Sequence, residues 1–385
     1  MDSSTTTVDS ANFSLNMTGT NKNSSAQTSQ TACEIHDPIY GTVIIDSLCA
    51  IEIIHLAEFQ RLKHVLQHGI SGLVGLLPSP PVNRFDHSLG AMILVKRLGG
   101  SEEAQLAALL HDVAHTTFSH VVDLVFGYVV HEVDKLEYLN STQIPNVLQK
   151  HGFDPQRVFN EELFSLLELP SPRICADRVD YALRDSLYFG FLNQEDAQEV
   201  LHSLVSIDGQ MALDSQHAAI LLGNAFLMSD QKVWAAPTHA YLYKLTAEAL
   251  KLALAEGLIQ KKDLWTWGDR ELWHLMVNHG SPQIKKLTER TNPRCRLLEI
   301  NLGDSKDSQA SNHISSPEVC TLKLKIRTID PPVSTPDGLK PLSSLDPEYA
   351  KRRGEYIHNR MLPIMYAVNY MTRVDDEAPV AARSA

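Results

Sequence analysis

The chain has 385 residues, 43% of them hydrophobic, and a formal net charge of −12 at pH 7. It can bury one large core or two modest ones, and its acidic balance excludes nucleic-acid binding through a general basic field. The five cysteines, Cys33, Cys49, Cys175, Cys295 and Cys320, are odd in number and lack any CxxC pair, which excludes a disulfide framework and a zinc ribbon.

Residues 1–34 are rich in Ser, Thr and Asn and predict a disordered tail. No charged-then-apolar leader and no apolar run of bilayer length is visible. The expectation is a cytoplasmic protein that does not touch membrane, with a nuclear location left open.

A mainly helical domain is expected over 35–285. Apolar residues at Ile51, Ile54, Phe59, Leu62 and Leu66 predict a helix from Ile51 to Leu66. A second helical region runs from Glu102 to Leu124, with a break near Thr116 and Thr117. Helices are also expected over Glu161–Leu169, over Ile174–Phe191, and from His239 to Glu256 behind Pro237.

Near Asn292 the character changes, and a smaller lobe is expected over 286–375. Arg296–Leu302 predicts a short strand, and Gly303–Pro317 a polar loop. Leu322, Leu324 and Ile326 alternate with Lys323, Lys325 and Arg327, the pattern of a half-buried strand. Asp346–Thr372 predicts a helix, and 376–385 a flexible tail.

The most informative segment reads His111-Asp112-Val-Ala-His115-Thr-Thr-Phe-Ser-His120. On a helix His111 and Asp112 can converge on one ion, and His115 lies one turn further along nearly the same face. A His-Asp pair alone is usually a surface or capping pair. Here it interrupts an apolar run from Leu106 to Val113, where charged groups need a partner or a metal. Arg84-Phe85-Asp86-His87 supplies a histidine upstream, and Ala176-Asp177-Arg178 a carboxylate downstream. Imidazole and carboxylate together suit Fe, Mn, Ni, Zn or Mg.

The ordered set H…HD…D resembles the HD-domain metal-dependent phosphohydrolases, and within them the deoxynucleoside triphosphate triphosphohydrolase branch, which includes the SAM-and-HD-domain protein. The likeness runs from Asp37-Pro38-Ile39-Tyr40-Gly41 through Phe59-Gln60-Arg61-Leu62, Arg84–Gly90, His111–His120 and Asp177–Asp185 to Ile329-Asp330-Pro331-Pro332. It implies a mainly α fold, an HD-domain helical bundle with a smaller C-terminal α+β lobe. The metal ligands then fall on His87, His111, Asp112 and Asp177, and the acid/base and phosphate-handling residues on His115, His120, Asp123 and His131. A carboxylate such as Asp123 can hold an acid/base imidazole in its working tautomer. The substrate-binding positions fall on Gln67 and Asp185 for a sugar hydroxyl, Tyr181 under the sugar, and Arg84 and Arg178 on phosphate, with His120 beside them.

The resemblance implies a divalent metal cofactor, a nucleotide or related phosphorylated small molecule as substrate, and a homo-oligomer. Hydrolysis by metal-activated water would release either one phosphate from a nucleoside monophosphate or triphosphate from a deoxynucleoside triphosphate. Two departures bear on the substrate. The branch carries an Arg, a His and a Tyr on a later helix for distal phosphates, and in an ungapped register over Met228–Ala240 none is present, although Lys232 and His239 are near. In the guanine-nucleotide activation pocket His55 stands at an acidic position, beside Gln60 and Lys63. No SAM-like domain is expected ahead of Ile35. The competing readings are a vestigial HD nucleotide-binding regulator and a di-iron HD oxygenase.

Overall fold

The computed structural model describes residues 32–300, 318–360 and 364–370. The expected tails at 1–34 and 376–385 lie almost entirely outside the described residues, and the polar loop at 303–317 does so completely. The described chain is mainly α-helical with three small sheets.

A hairpin of β1 (Cys33–Asp37) and β2 (Gly41–Ile45) opens it. The helix expected over Ile51–Leu66 is three pieces: α1 (Leu48–Ile54), a four-residue turn Ala57–Gln60, and a 3-10 turn Arg61–His64. The break is held by polar groups that the apolar rhythm does not reveal. His55 Nδ1 reaches Ile51 O at 2.7 Å, and Gln60 Nε2 donates to Ile54 O at 2.6 Å.

Helix α2 (Arg84–Arg97) starts at Asn83, whose side chain accepts from Asp86 N, and α3 (Glu102–Leu110) starts at Ser101, whose side chain accepts from Ala104 N. The expected helix over Glu102–Leu124 stops at Leu110. Residues 111–120 form turns, and α4 (Val121–Phe126) follows, ending at Gly127 in the left-handed region. Glu161–Leu169 holds only a three-residue 3-10 turn, Glu161–Leu163. Helix α5 (Ala176–Phe189) ends on Gly190 at φ 74°.

Strands β3 (Leu204–Ile207) and β4 (Gln210–Leu213) form a hairpin turned by Asp208 and Gly209, both at positive φ. Helix α6 (Gln216–Ser229) runs into a π turn, Asp230–Trp234, and Pro237 then opens α7 (Pro237–Ala255). Helix α8 (Asp269–His279) precedes β5 (Cys295–Glu299).

The strand expected at Leu322–Ile326 lies further back, as β6 (Glu318–Leu322). Burial still alternates through Leu324, but no partner strand extends past Leu322. After β7 (Pro332–Thr335) and β8 (Gly338–Pro341) the last helix, α9 (Pro347–Arg360), ends well before Thr372. Its expected continuation is β9 (Ile364–Tyr370), which pairs with β5 on one side and β6 on the other. Tyr366 and Val368 of β9 are buried, the period-two signature of a strand.

Two apolar cores result. One joins α1, α2, α3, α5 and α6, and also takes Ile329, Val333, Leu342 and Tyr349. The other surrounds α7 and α8 and takes Ile70, Phe118 and the β5–β9–β6 sheet. Strand β4 pairs in parallel with β7 at Leu213 and Val333, so the helical region and the C-terminal lobe share a sheet. Among the described residues no helix is long and apolar enough to cross a membrane.

Helices α2 and α5 approach closely at Gly90. A Cβ there would stand 1.8 Å from Asp180 Oδ1 and 2.5 Å from Arg184 Nη2. Gly90→Ala must therefore push apart a buried ion pair, at an expected cost of about 3–5 kcal/mol. Urea unfolding checks this, and an unchanged midpoint would show that the two helices have slack.

Candidate metal centre

Three elements bring the four expected metal ligands together. His87 sits on the first turn of α2, His111 and Asp112 stand just past the end of α3, and Asp177 opens α5. His87 Nε2 is 3.0 Å from Asp177 Oδ1, 3.1 Å from His111 Nε2 and 3.6 Å from Asp112 Oδ2. His111 Nε2 is 3.5 Å from Asp177 Oδ1 and 3.7 Å from Asp112 Oδ1.

The outer nitrogens of both rings are committed. His111 Nδ1 reaches Ala108 O at 2.7 Å, and a carbonyl only accepts, so Nδ1 carries the proton. His87 Nδ1 reaches Asp180 Oδ2 at 2.7 Å. Asp180 is itself held by Tyr40 Oη at 2.7 Å and by Arg184 Nε and Nη2 at 3.1 and 2.9 Å. Arg184 also reaches Asp37 Oδ2 at 3.1 Å. Two imidazole lone pairs and two carboxylates therefore face one point, and only a cation or a proton satisfies them. Burial draws the His87 pKa down, but Asp177 and Asp180 outweigh it and raise it to about 10. A divalent cation fits this donor set, and protons compete for the same place.

The turns of residues 111–120 are clamped from outside. Arg61 Nη2 donates to Val113 O and His115 O at 3.1 and 2.7 Å. Trp265 Nε1 donates to Ala114 O at 2.9 Å. Asp269 accepts from Phe118 N at 2.8 Å and from Leu66 N at 3.0 Å. These bonds support Phe118 and Ser119 at φ 61° and 51°. Arg84 lies under the segment, with Nη1 on Asp112 Oδ2 and Nε 2.8 Å from Ser119 Oγ.

Beside the cluster stand three more histidines. His115 stacks on His131 with centroids 3.7 Å apart, and its Nε2 is 3.2 Å from Asp112 Oδ1. His120 meets both rings edge-on at 5.2 and 5.1 Å. The imidazole that Asp123 orients is His120, whose Nδ1 is 2.9 Å from Asp123 Oδ2, while Asp123 Oδ1 accepts from Val130 N. Burial and the charge of His120 pull the His131 pKa down to about 3, so that ring is neutral.

The expected substrate residues divide. Tyr181 lies between His87 and Trp234, with centroids at 6.3 and 5.1 Å. Gln67 has a buried Oε1 without a partner. Asp185 accepts from Trp234 Nε1 at 2.7 Å and lies 3.0 Å from His68 Nε2. Arg178 Nη1 donates to Leu169 O and Arg173 O at 2.9 and 2.7 Å, and its Nη2 to Glu168 Oε1 at 3.2 Å. Those bonds hold it to the segment ahead of α5. A π turn, Asp230–Trp234, stands ahead of α7. On α7 His239 packs 6.3 Å from His68, and Tyr243 4.4 Å from His239. In the expected activation pocket Gln60 is spent on Ile54 O, and Lys63 Nζ lies 4.6 Å above the Phe85 ring.

Asp37, Tyr40, Asp180, Arg184, Arg61 and Asp269 hold the centre together. Sequence alone gave none of them a role, because each acts through another side chain or the backbone and not on the ion. Asp180 had a local signal, three residues from Asp177 and on the same face.

A helical scaffold presenting two histidines and two aspartates to one point defines a metal-dependent hydrolase. The HD domain family model matches residues 84–180. The metal-dependent phosphohydrolase cns2 of Cordyceps militaris is 38% identical over 339 residues, covering 85% of this chain and 92% of that one. The human deoxynucleoside triphosphate triphosphohydrolase SAMHD1 is 33% identical over 165 residues, 35% of this chain and 26% of that one. The crystal structure of a hypothetical protein from Aquifex aeolicus has the same fold, with a TM-score of 0.66 at 20% identity, over 88% of this chain and 96% of that one. The chain belongs to the HD-domain metal-dependent phosphohydrolases.

Asp177→Ala removes one carboxylate and leaves the Asp180 brace intact. The purified variant is expected to lose most of its bound metal by elemental analysis while keeping the wild-type circular dichroism spectrum. A full complement of metal in Asp177→Ala would remove Asp177 from the ligand set.

Proposed function

We propose that this phosphohydrolase acts on a nucleotide or nucleotide-like small molecule, with His87, His111, Asp112 and Asp177 holding its divalent cation. The observation that carries the reading is the convergence of those four side chains beside the packed rings of Tyr181 and Trp234. When bound, the cation supplies a Lewis acid for a phosphate oxygen and lowers the pKa of water.

The remaining steps fall to the chain itself. Arg84 offsets the charge of Asp112 and fixes the turn that carries it. His120 donates Nδ1–H to Asp123, which leaves Nε2 free to pass a proton to the departing oxygen. Burial keeps the His120 pKa below its usual value. An arriving phosphate dianion restores the protonated form. His115 and His131 stack beneath it and hold its ring in place. Tyr181 and Trp234 form an apolar floor for a sugar, and Gln67 Oε1 offers a buried acceptor for a sugar hydroxyl. The five cysteines are buried and unpaired, which supports a reducing compartment such as the cytoplasm. The exposed Leu124, Val129, Val133 and Leu136 support a homo-oligomer.

A second reading rests on a separate group. Ligand atoms of His120, Asp123 and His131 lie within 4.8 Å of one another, close enough for a second ion. Two irons per chain together with oxygen uptake would favour oxidative chemistry over hydrolysis.

The test is a screen of nucleoside mono-, di- and triphosphates with Mn, Mg, Ni, Zn or Fe, scoring phosphate against triphosphate release. Wild type is expected to turn over at least one of them, and Asp112→Ala to lose roughly three orders of magnitude in kcat/KM. Full activity after chelation, or in Asp112→Ala, would end the reading. His120→Asn is expected to lower kcat by about 10²–10⁴-fold and to flatten one limb of the pH profile. A wild-type profile in that variant would return His120 to a packing role.

A further inference from the structure

We propose that Tyr356, on the C-terminal helix α9, is a positioning residue for substrate: through Asp230 and the π turn it holds Trp234 in place against Tyr181 and Asp185. The proposal rests on the reading above in which Tyr181 and Trp234 form the substrate floor.

The π turn Asp230–Trp234 closes through Ala235 N, which donates to Asp230 O at 2.7 Å. Turns of this kind are rare and recur at functional sites. The support for this one comes from the C-terminal lobe. Asp230 is fully buried, and its Oδ2 accepts from Tyr356 Oη at 2.9 Å and from Arg327 N at 2.7 Å. Arg327 Nη1 stands 3.8 Å from Oδ1 and balances the charge. Just past the other end of the turn, Ala235 O accepts from Arg360 Nη1 at 3.2 Å. Tyr356 and Arg360 are one helical turn apart, so a single face of α9 grips both ends of the π turn. Tyr349, earlier on the same helix, anchors it to the main core, with Oη donating to Ile329 O at 2.6 Å.

The turn presents its last residue to the site. Trp234 Nε1 donates to Asp185 Oδ2 at 2.7 Å. Its ring meets Tyr181 at 5.1 Å and Phe226 at 4.9 Å, and Tyr181 lies 6.3 Å from the His87 ring. Asp230 and Trp234 are the two ends of one short turn, so a displaced Asp230 carries the Trp234 backbone with it. Removing the Tyr356 hydroxyl takes a donor from a buried carboxylate, a loss that solvent does not make good. None of these bonds involves His87, His111, Asp112 or Asp177. The C-terminal helix therefore sets the floor and leaves the metal ligands alone.

The test is fluorine NMR of the full chain labelled with 5-fluorotryptophan, read beside hydrolysis of p-nitrophenyl phosphate with Mn. The chain has four tryptophans, and Trp234→Phe assigns the signal of Trp234. Tyr356→Phe is expected to shift that signal and to leave those of Trp265, Trp267 and Trp273 in place. Lys351→Ala, at an exposed lysine of the same helix, is expected to shift none. Tyr356→Phe is also expected to raise KM about tenfold at near-constant kcat, with unchanged metal content. Trp234→Phe raises KM at least as much, and Tyr356→Phe added to it brings little further loss, because the two residues act in series. An unmoved Trp234 signal in Tyr356→Phe overturns the proposal, as does a wild-type KM in Tyr356→Phe where Trp234→Phe raises it. A wild-type KM in Trp234→Phe itself overturns the substrate floor instead. If Tyr356→Phe fails to fold, Arg360→Gln, acting at the other end of the turn, takes its place in the same comparison.

Discussion

Two imidazole nitrogens 3.1 Å apart, with two carboxylates beside them, are the constraint from which the rest of the structure follows. In a buried setting such acceptors repel one another unless a positive charge lies between them. The chain pre-organises them through their far sides. Asp180 fixes His87, and Arg184 and Tyr40 fix Asp180, so the orientation of one ligand is set by residues from the first hairpin and from α5. This is the outer-shell logic of metal sites, in which the ring nitrogen away from the metal decides the tautomer. The absence of a side chain at Gly90 is part of the same arrangement, because it lets α5 come close enough for Asp180 to reach His87.

The second half of the centre is built on irregular backbone. Had α3 continued, His111 and Asp112 would have remained on one helical face with His115. The chain instead turns at His111, and the 111–120 segment wraps so that His115 and His120 stand against His131. Positive φ at Phe118 and Ser119 is tolerated because Arg61, Trp265 and Asp269 hold the surrounding amides and carbonyls. Catalytic geometry here is supported by residues of the second core, which never touch the metal ligands.

Much of this was legible in the residues. The HD pair inside an apolar run, the upstream histidine and the downstream aspartate pointed to one another across the chain, and their atoms do meet. Helices α3, α5 and α7 follow their apolar periods. The helix expected over Ile51–Leu66 breaks because side-chain hydrogen bonds from His55 and Gln60 hold a bend that hydrophobic rhythm cannot register. The C-terminal helix was read too long: Ile364, Tyr366 and Val368 carry a strand's alternation too short to stand out beside the preceding helix, and distant β5 and β6 complete the sheet.

The parallel pairing of Leu213 with Val333 carries a consequence for biogenesis. Tyr349 lies over Gly223 so closely that a Cβ there would stand 2.7 Å from its ring, and it seals the core that contains α2, α3 and α5. During translation Tyr349 leaves the ribosome well after the helices it covers. The helices bearing His87, His111 and Asp177 are therefore made long before their core can close, and such distant pairings form slowly. Until Tyr349 arrives, the core behind the ligand cluster stays open on that side.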